Sequence, residues 1–161
     1  MSPTRFRVQL SMSAEPPPAD AVRFKRAALL VADLDRSLAL YRDALGFVLQ
    51  SVKESPHDSY SYEIFGIEPS ARLRMAALDG PPGQERTLAL IEVSPPRPRP
   101  AAPVAATVVF VTDLDAVLAR AAAVPGVVVF PERGLLTHDG RQGREAGLTD
   151  PDGHAVVLFN V

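Results

Sequence analysis

Shifted by 80 residues, the chain falls on itself. Residues 26–39 (RAALLVADLDRSLA) align with residues 106–119 (ATVVFVTDLDAVLA), and six of the fourteen pairs are identical: Val31/Val111, Asp33/Asp113, Leu34/Leu114, Asp35/Asp115, Leu38/Leu118 and Ala39/Ala119. The register holds without a gap to Gly46 and Gly126, each just ahead of an apolar run (Phe47-Val-Leu and Val127-Val-Val). Matches between apolar residues arise easily by chance; a shared Asp-Leu-Asp followed eleven residues later by a shared glycine does not. An internal duplication of this kind restricts the fold to two copies of one unit.

The unit has a readable shape. In each copy an apolar strand ends at an aspartate placed to accept from the free N–H groups of a helix start. The helix carries leucines at i and i+4 (Leu34 and Leu38; Leu114 and Leu118), and the glycine supplies a positive-φ stop. In the first copy, strand-like runs follow at residues 71–78 and 86–93, with Asp79-Gly-Pro-Pro-Gly83 as the turn between them. In the second, residues 143–149 and 155–160 flank the turn Asp150-Pro-Asp-Gly153. Each copy therefore reads β-α-β-β-β, and the chain belongs to the α+β class.

Prolines, sixteen in all, mark the boundaries, since a residue without an N–H does least harm between elements. Five fall within residues 95–103, too rich a run for helix or paired strand and suited to an extended connector. This divides the folded part, residues 23–161, into module one (24–94), a linker (95–103) and module two (104–161). Residues 1–22 form a leader closed by Pro16-Pro17-Pro18. In it Phe6, Val8, Leu10 and Met12 alternate with polar neighbours, a pattern that fits a short edge strand and equally a frayed tail.

Composition removes several function classes. With no cysteine there is no disulfide scaffold and no thiolate zinc site. Seventeen Lys+Arg against nineteen Asp+Glu, with no basic stripe, leave no electrostatic footprint for nucleic acid. The first twenty residues never reach the uninterrupted apolar region of a secretory signal, and no stretch nears the ~18 apolar residues of a membrane span. A cytoplasmic protein without membrane partners is the expectation.

The words Val31-Ala-Asp33-Leu34-Asp35-Arg-Ser37-Leu38-Ala-Leu-Tyr41-Arg-Asp-Ala-Leu45-Gly46-Phe47 and Asp150-Pro-Asp-Gly-His154, set in a duplicated βαβββ frame, resemble the vicinal oxygen chelate superfamily of glyoxalase I, bleomycin-resistance proteins and extradiol dioxygenases. The resemblance covers residues 24–161. It implies two tandem βαβββ modules whose sheets curl around a shared concave cleft for a small organic ligand, usually in a homodimer. It does not imply one function, because that superfamily contains lyases, epimerases, dioxygenases and proteins that only sequester drugs.

Its enzymes hold one divalent cation by four His, Glu or Gln side chains on the first and last strands of the modules, and the resemblance locates these positions here. The first, seven residues before Asp33, is Arg26, a permanent cation. Its counterpart before Asp113 is Ala106, and the last-strand position is Val157; neither has a donor atom. The fourth falls at Leu90 or Glu92. The three histidines, His57, His138 and His154, show no ligand spacing, and His154, after its tight turn, is expected to face solvent. No metal and no other cofactor is expected.

Strand parity then supplies candidate ligand-binding residues. Arg26 is expected on the concave face and to pair with Glu92 across the old metal position, with Arg74 as a further cation on the cleft wall. Ala106, Val108 and Phe110 with Ala155, Val157 and Phe159 form an apolar wall, and Tyr62 in residues 57–65 is either a lid aromatic or a packing residue. One cationic and one apolar wall suit an amphipathic or weakly acidic organic ligand, with Arg26, Arg74 and Glu92 orienting it and Tyr62, Phe110 and Phe159 contacting it. The leading expectation is a small-molecule-binding protein, a drug- or metabolite-sequestering one among the options. The alternative is a lyase, isomerase or dioxygenase with a non-standard site and Glu92 as general base, although a carboxylate held beside a guanidinium is a weak base. A scaffold role, with leader and linker docking a partner, is the third reading.

Overall fold

The computed structural model describes residues 24–161. The leader pattern of residues 6–12 and Pro16-Pro17-Pro18 lie outside them. Module one runs β1 (Ala27–Val31), α1 (Leu34–Leu38), a π-helical continuation (Ala39–Ala44), β2 (Val48–Glu54), a one-turn helix α2 (Ser61–Ile64), β3 (Arg72–Asp79) and β4 (Leu88–Ser94). Module two runs β5 (Ala106–Phe110), α3 (Leu114–Ala122), β6 (Val128–Val129), β7 (Arg133–Leu136), β8 (Gln142–Thr149) and β9 (Ala155–Asn160). The first sheet has the order β1-β4-β3-β2 and the second β5-β9-β8-β6, with β7 also on β8. In each module the first strand lies parallel to the last and the remaining pairs are antiparallel, so the duplication holds in topology.

Both helices begin by the same local device. Asp33, extended at φ −148°, accepts from the Arg36 N–H at 2.9 Å, and Asp113, at φ −129°, accepts from the Ala116 N–H at 3.0 Å. Both repeats then pass through a left-handed glycine, Gly46 at φ 89° and Gly126 at φ 85°. At Gly126 a Cβ would also press on Pro151 at 3.3 Å, so a side chain there would be crowded as well as strained.

One apolar core serves both modules. It joins Leu34, Leu40 and Tyr41 from the first helical segment and Leu78, Leu88 and Leu90 from the first sheet. From module two it takes Leu114, Leu148, Val156 and Leu158. The opposite face of the first sheet is covered by a smaller cluster, in which Tyr62 and Ile67 pack on Leu73, Ile91 and Val93. The opposite face of the second sheet is open: Val108 is 64% and Phe110 53% exposed. Among the described residues no helix is long and apolar enough to cross a membrane.

The structure adds what the pattern left out. The apolar run from Val127 forms the short β6, and a further strand the pattern did not give, β7, follows Pro131; the two pair with opposite ends of β8, with the proline, which has no N–H to give the ladder, between them. Helix α2 replaces a segment expected to be loop, and residues 137–141 are the hairpin connection between β7 and β8.

Candidate functional site

The one fully buried carboxylate among the described residues joins the modules rather than lining a cleft. Asp150, fully buried, accepts from the Tyr41 hydroxyl at 2.8 Å and from the backbone N–H groups of Asp152 and His154 at 2.9 and 2.8 Å. Asp152 Oδ1 accepts from the Ala32 N–H at 3.0 Å, and the half-buried His154 ring places Nε2 2.7 Å from the Leu30 carbonyl oxygen. The turn of module two is thus clasped to the strand–helix turn of module one. This corrects the expectation of a solvent-facing His154, whose imidazole is held by the other module. Burial, reinforced by the Asp150 carboxylate, pushes the Tyr41 hydroxyl well above the ordinary phenol range, so it stays a donor.

Asp152 is the strained member of the clasp. Its Oδ2 is buried without a partner, and burial raises its carboxyl above the ordinary carboxylate value. A carboxyl whose folded-state value is raised favours the folded state only while protonated. That contribution is complete below the unfolded-state value and is lost as pH rises through the raised folded one. The Asp152→Asn variant, which cannot ionise, is therefore expected to gain stability relative to the parent as pH rises across the carboxylate range. Urea midpoints at several pH values check this; a difference that shrinks with rising pH contradicts it.

A groove of about 930 Å³ runs along the edge of β5. Its floor is mostly apolar, with Ala106, Val108, Val109, Phe110 and Phe159 beside Thr107, and its far rim is Phe24, Lys25 and the turn from Gly80 to Thr87. Phe110 and Phe159 meet edge to face, their ring centroids 5.6 Å apart, as expected from neighbouring positions on parallel strands. Lys25, Gln84, Glu85 and Thr87 add polar groups at the rim. Such a wall of apolar side chains with a few polar ones at the edge is the usual makeup of a site for organic molecules. The rim residues escaped the sequence reading, because the turn containing them carried only a chain-reversal signal.

The six sequence-derived candidates fall in four places. Phe110 and Phe159 share the groove. Arg26 precedes β1 beside Lys25 and Ala27, which line the groove, but is not itself among the lining residues. Arg74 and Glu92 bound a separate charged hollow of about 270 Å³, with Glu54, Arg72 and Ser94. Tyr62 is buried, and its hydroxyl donates to the Ala71 carbonyl at 2.8 Å, so the packing alternative holds for it.

The expected Arg26–Glu92 pair does not form. The parallel register sets Val31, not Arg26, beside Glu92. Five residues at about 3.3 Å each separate the two positions, and the odd offset puts them on opposite faces. Glu92 instead accepts from the Leu34 N–H at 2.7 Å and from Arg74 at 3.1 Å. Its hydrogen bond to the Glu92 carboxylate raises the Arg74 guanidinium above its ordinary value. Arg74 accordingly lies on the helix-bearing face of the sheet rather than on the wall shared with Phe110 and Phe159, because Leu73 and Met75 take the face covered by α2.

The donor set does not fit the chelate metal. Beside the start of β1 the register brings Thr87 and Leu88, not Glu92, and across the second sheet Ala106 and Val157 lie among alkyl groups. Among the described residues no group of three or more His, Cys, Asp or Glu is gathered to hold a metal ion.

Comparison with known proteins bears on the fold. The family model described as "Glyoxalase/Bleomycin resistance protein/Dioxygenase superfamily" matches residues 23–158. A glyoxalase family protein from Bacillus cereus superposes with a TM-score of 0.66 at 16% identity, covering 91% of this chain and 98% of the other. The trypanothione-dependent glyoxalase I of Leishmania major gives 0.58 at 20% identity, covering 87% of each chain. The antibiotic binding protein TnmS3 from Streptomyces sp. CB03234 gives 0.54 at 20% identity, covering 88% of this chain and 97% of that one. No curated protein sequence matches significantly. A duplicated βαβββ frame, one core shared by both modules and a family match across nearly all the described residues together place this chain in the glyoxalase/bleomycin resistance protein/dioxygenase superfamily.

Proposed function

We propose that the protein binds an amphipathic organic small molecule in the groove along β5, without a metal ion, and acts as a sequestering or carrier protein in the cytoplasm as a homodimer. The observation that carries this reading is the edge-to-face pair of the half-exposed Phe110 with Phe159 on a wall whose counterpart metal positions, Ala106 and Val157, offer no donor atom. Exposed aromatic surface that pairs with itself and is rimmed by polar groups favours a ligand with an aromatic or otherwise flat apolar part. Similarity to an antibiotic binding protein supports the same class of ligand. The enzymatic alternative loses its general base, since the Glu92 carboxylate is engaged by a helix N–H and a guanidinium.

The test uses 1-anilinonaphthalene-8-sulfonate, an aromatic anion, as the probe. Saturable binding near one site per chain is expected. The double variant Phe110→Ala/Phe159→Ala is expected to weaken it about tenfold, the equivalent of roughly 1.4 kcal/mol, with little loss of stability because Phe110 is half exposed. Adding Ni²⁺, Zn²⁺, Mn²⁺ or Fe²⁺ is expected to leave the melting temperature unchanged. A metal-dependent rise in that temperature with one ion bound per chain would return the protein to the chelate enzymes, and unchanged dye affinity in the double variant would move the site elsewhere.

A further inference from the structure

We propose that the ligand of the wall carried by Phe110 and Phe159 is an organic cation, a flat apolar body bearing an amine or amidine, whose charged end takes the place of Arg133 on Glu145. This names the ligand class of the site proposed above and rests on that reading.

The register of the second sheet places the groups. Phe110 on β5 pairs with Phe159 on β9, Phe159 with Glu145 on β8, and Glu145 with Arg133 on β7. Directly paired positions share a face, so these four side chains form one row across four strands: two aromatic rings, then a carboxylate, then a guanidinium. Two residues along, the same face carries Val108, Val157 and Gly147. Gly147 leaves room where a side chain would stand, and the Phe130 ring lies over it, since a Cβ there would meet Phe130 at 3.4 Å. Val108, Phe110 and Phe130 are each at least half exposed. The wall of the groove thus continues past Phe159 as an apolar surface bordered by the Glu145–Arg133 ion pair.

Three features decide the sign of the ligand's charge. First, the Glu145 side chain is only 23% exposed and that of Arg133 79%, with Nε and Oε1 2.9 Å apart. The carboxylate is held in the row while its partner reaches in from solvent, and so exposed an arginine exchanges for another cation at little cost. A ligand cation preserves the charge pairing of Glu145, whereas an anion sets a second negative charge beside it. Second, the faces of the phenylalanine rings carry the negative side of the ring quadrupole and attract a cation. Third, the adjacent cation of β8, Arg144, is turned to the opposite face, where Glu132 and Asp115 each hold it at 2.6 Å. On the far rim of the groove Lys25 and Glu85 are of opposite sign and favour neither charge.

Three probes matched in shape, 1-naphthylmethylamine, 1-naphthylmethanol and 1-naphthoate, test the proposal by calorimetric titration of the full chain at neutral pH. The amine is expected to bind about fivefold tighter than the alcohol, and the naphthoate weaker than both. Glu145→Gln should remove the advantage of the amine and leave the affinity for the alcohol within about twofold of the parent. Arg133→Ala should bind the amine at least as tightly as the parent, because its competitor is gone. Far-UV circular dichroism certifies that both variants fold. An amine no better than the alcohol, a naphthoate that binds tightest, or an advantage that survives Glu145→Gln would each overturn the proposal. So would amine affinity that falls as protein concentration rises, which would assign this face to a second copy. Saturable binding of the alcohol with no gain for the amine removes the charge assignment and leaves the ligand site standing, whereas no binding of any probe removes both.

Discussion

Replacing Asp150 with alanine is expected to cost about 3–5 kcal/mol of stability, the range expected when several buried donors lose their acceptor at about 1–3 kcal/mol each. The carboxylate is fully buried and accepts from three donors, the Tyr41 hydroxyl and the backbone N–H groups of Asp152 and His154. Alanine leaves all three without a partner in a place water does not reach, and the cost of an unmet buried donor, about 1–3 kcal/mol, exceeds the net worth of the bond that was lost. Asp150→Asn keeps an acceptor at Oδ1 and presents an amide N–H to a phenol oxygen able to accept it, so its cost should be well below that of alanine. For a chain of this size the alanine variant should melt roughly 10 °C lower. Far-UV circular dichroism with urea and heat reads both changes. A loss under about 1 kcal/mol for Asp150→Ala would mean that the clasp contributes orientation and little stability.

The parts of this fold that could be read from the chain are those whose cause is local. The starts of α1 and α3 were legible because an N-cap aspartate acts on its own i+3 N–H, and Asp33 and Asp113 do so at nearly the same distance. The strand at residues 155–160 was found to the residue, since Pro-Asp-Gly before it and alternation within it are both short-range signals. The π-helical continuation after Leu38 and the separate strand β7 beyond Pro131 were not anticipated, because neither carries a short-range signal of its own in the chain.

The candidate site was less legible because it depends on offsets between strands. Parity along one strand correctly grouped Val108, Phe110, Val157 and Phe159, since β5 and β9 pair these positions directly. Arg26 and Glu92 were misjudged by the same method, because parity says nothing about how far one strand is slid along its neighbour. A register in which Val31 meets Glu92 reverses the conclusion. Glu92 serves a helix start 58 residues away and His154 a carbonyl 124 residues away, contacts that no window along the chain contains.

Leu158→Ala, a change confined to module two, is expected to lower the stability of module one by the same amount. Leu158 is fully buried in the core that also holds Leu34, Leu40, Tyr41 and Leu90 of module one, so deleting its side chain opens a cavity against both modules at a cost of about 2–5 kcal/mol. The sequence supplies a reporter for this: all three tyrosines, Tyr41, Tyr60 and Tyr62, lie in module one, and there is no tryptophan to mask them. Tyrosine fluorescence therefore follows module one alone, while far-UV circular dichroism follows both. In the parent and in Leu158→Ala the two probes should give one coincident urea midpoint, shifted downward together in the variant. If the modules were separate folding units, the tyrosine midpoint would stay at its parental value while the dichroism curve split in two. The clasp at Asp150 argues against that outcome from the polar side as the shared core does from the apolar side, because unfolding either module strips the other of partners for groups it has already buried.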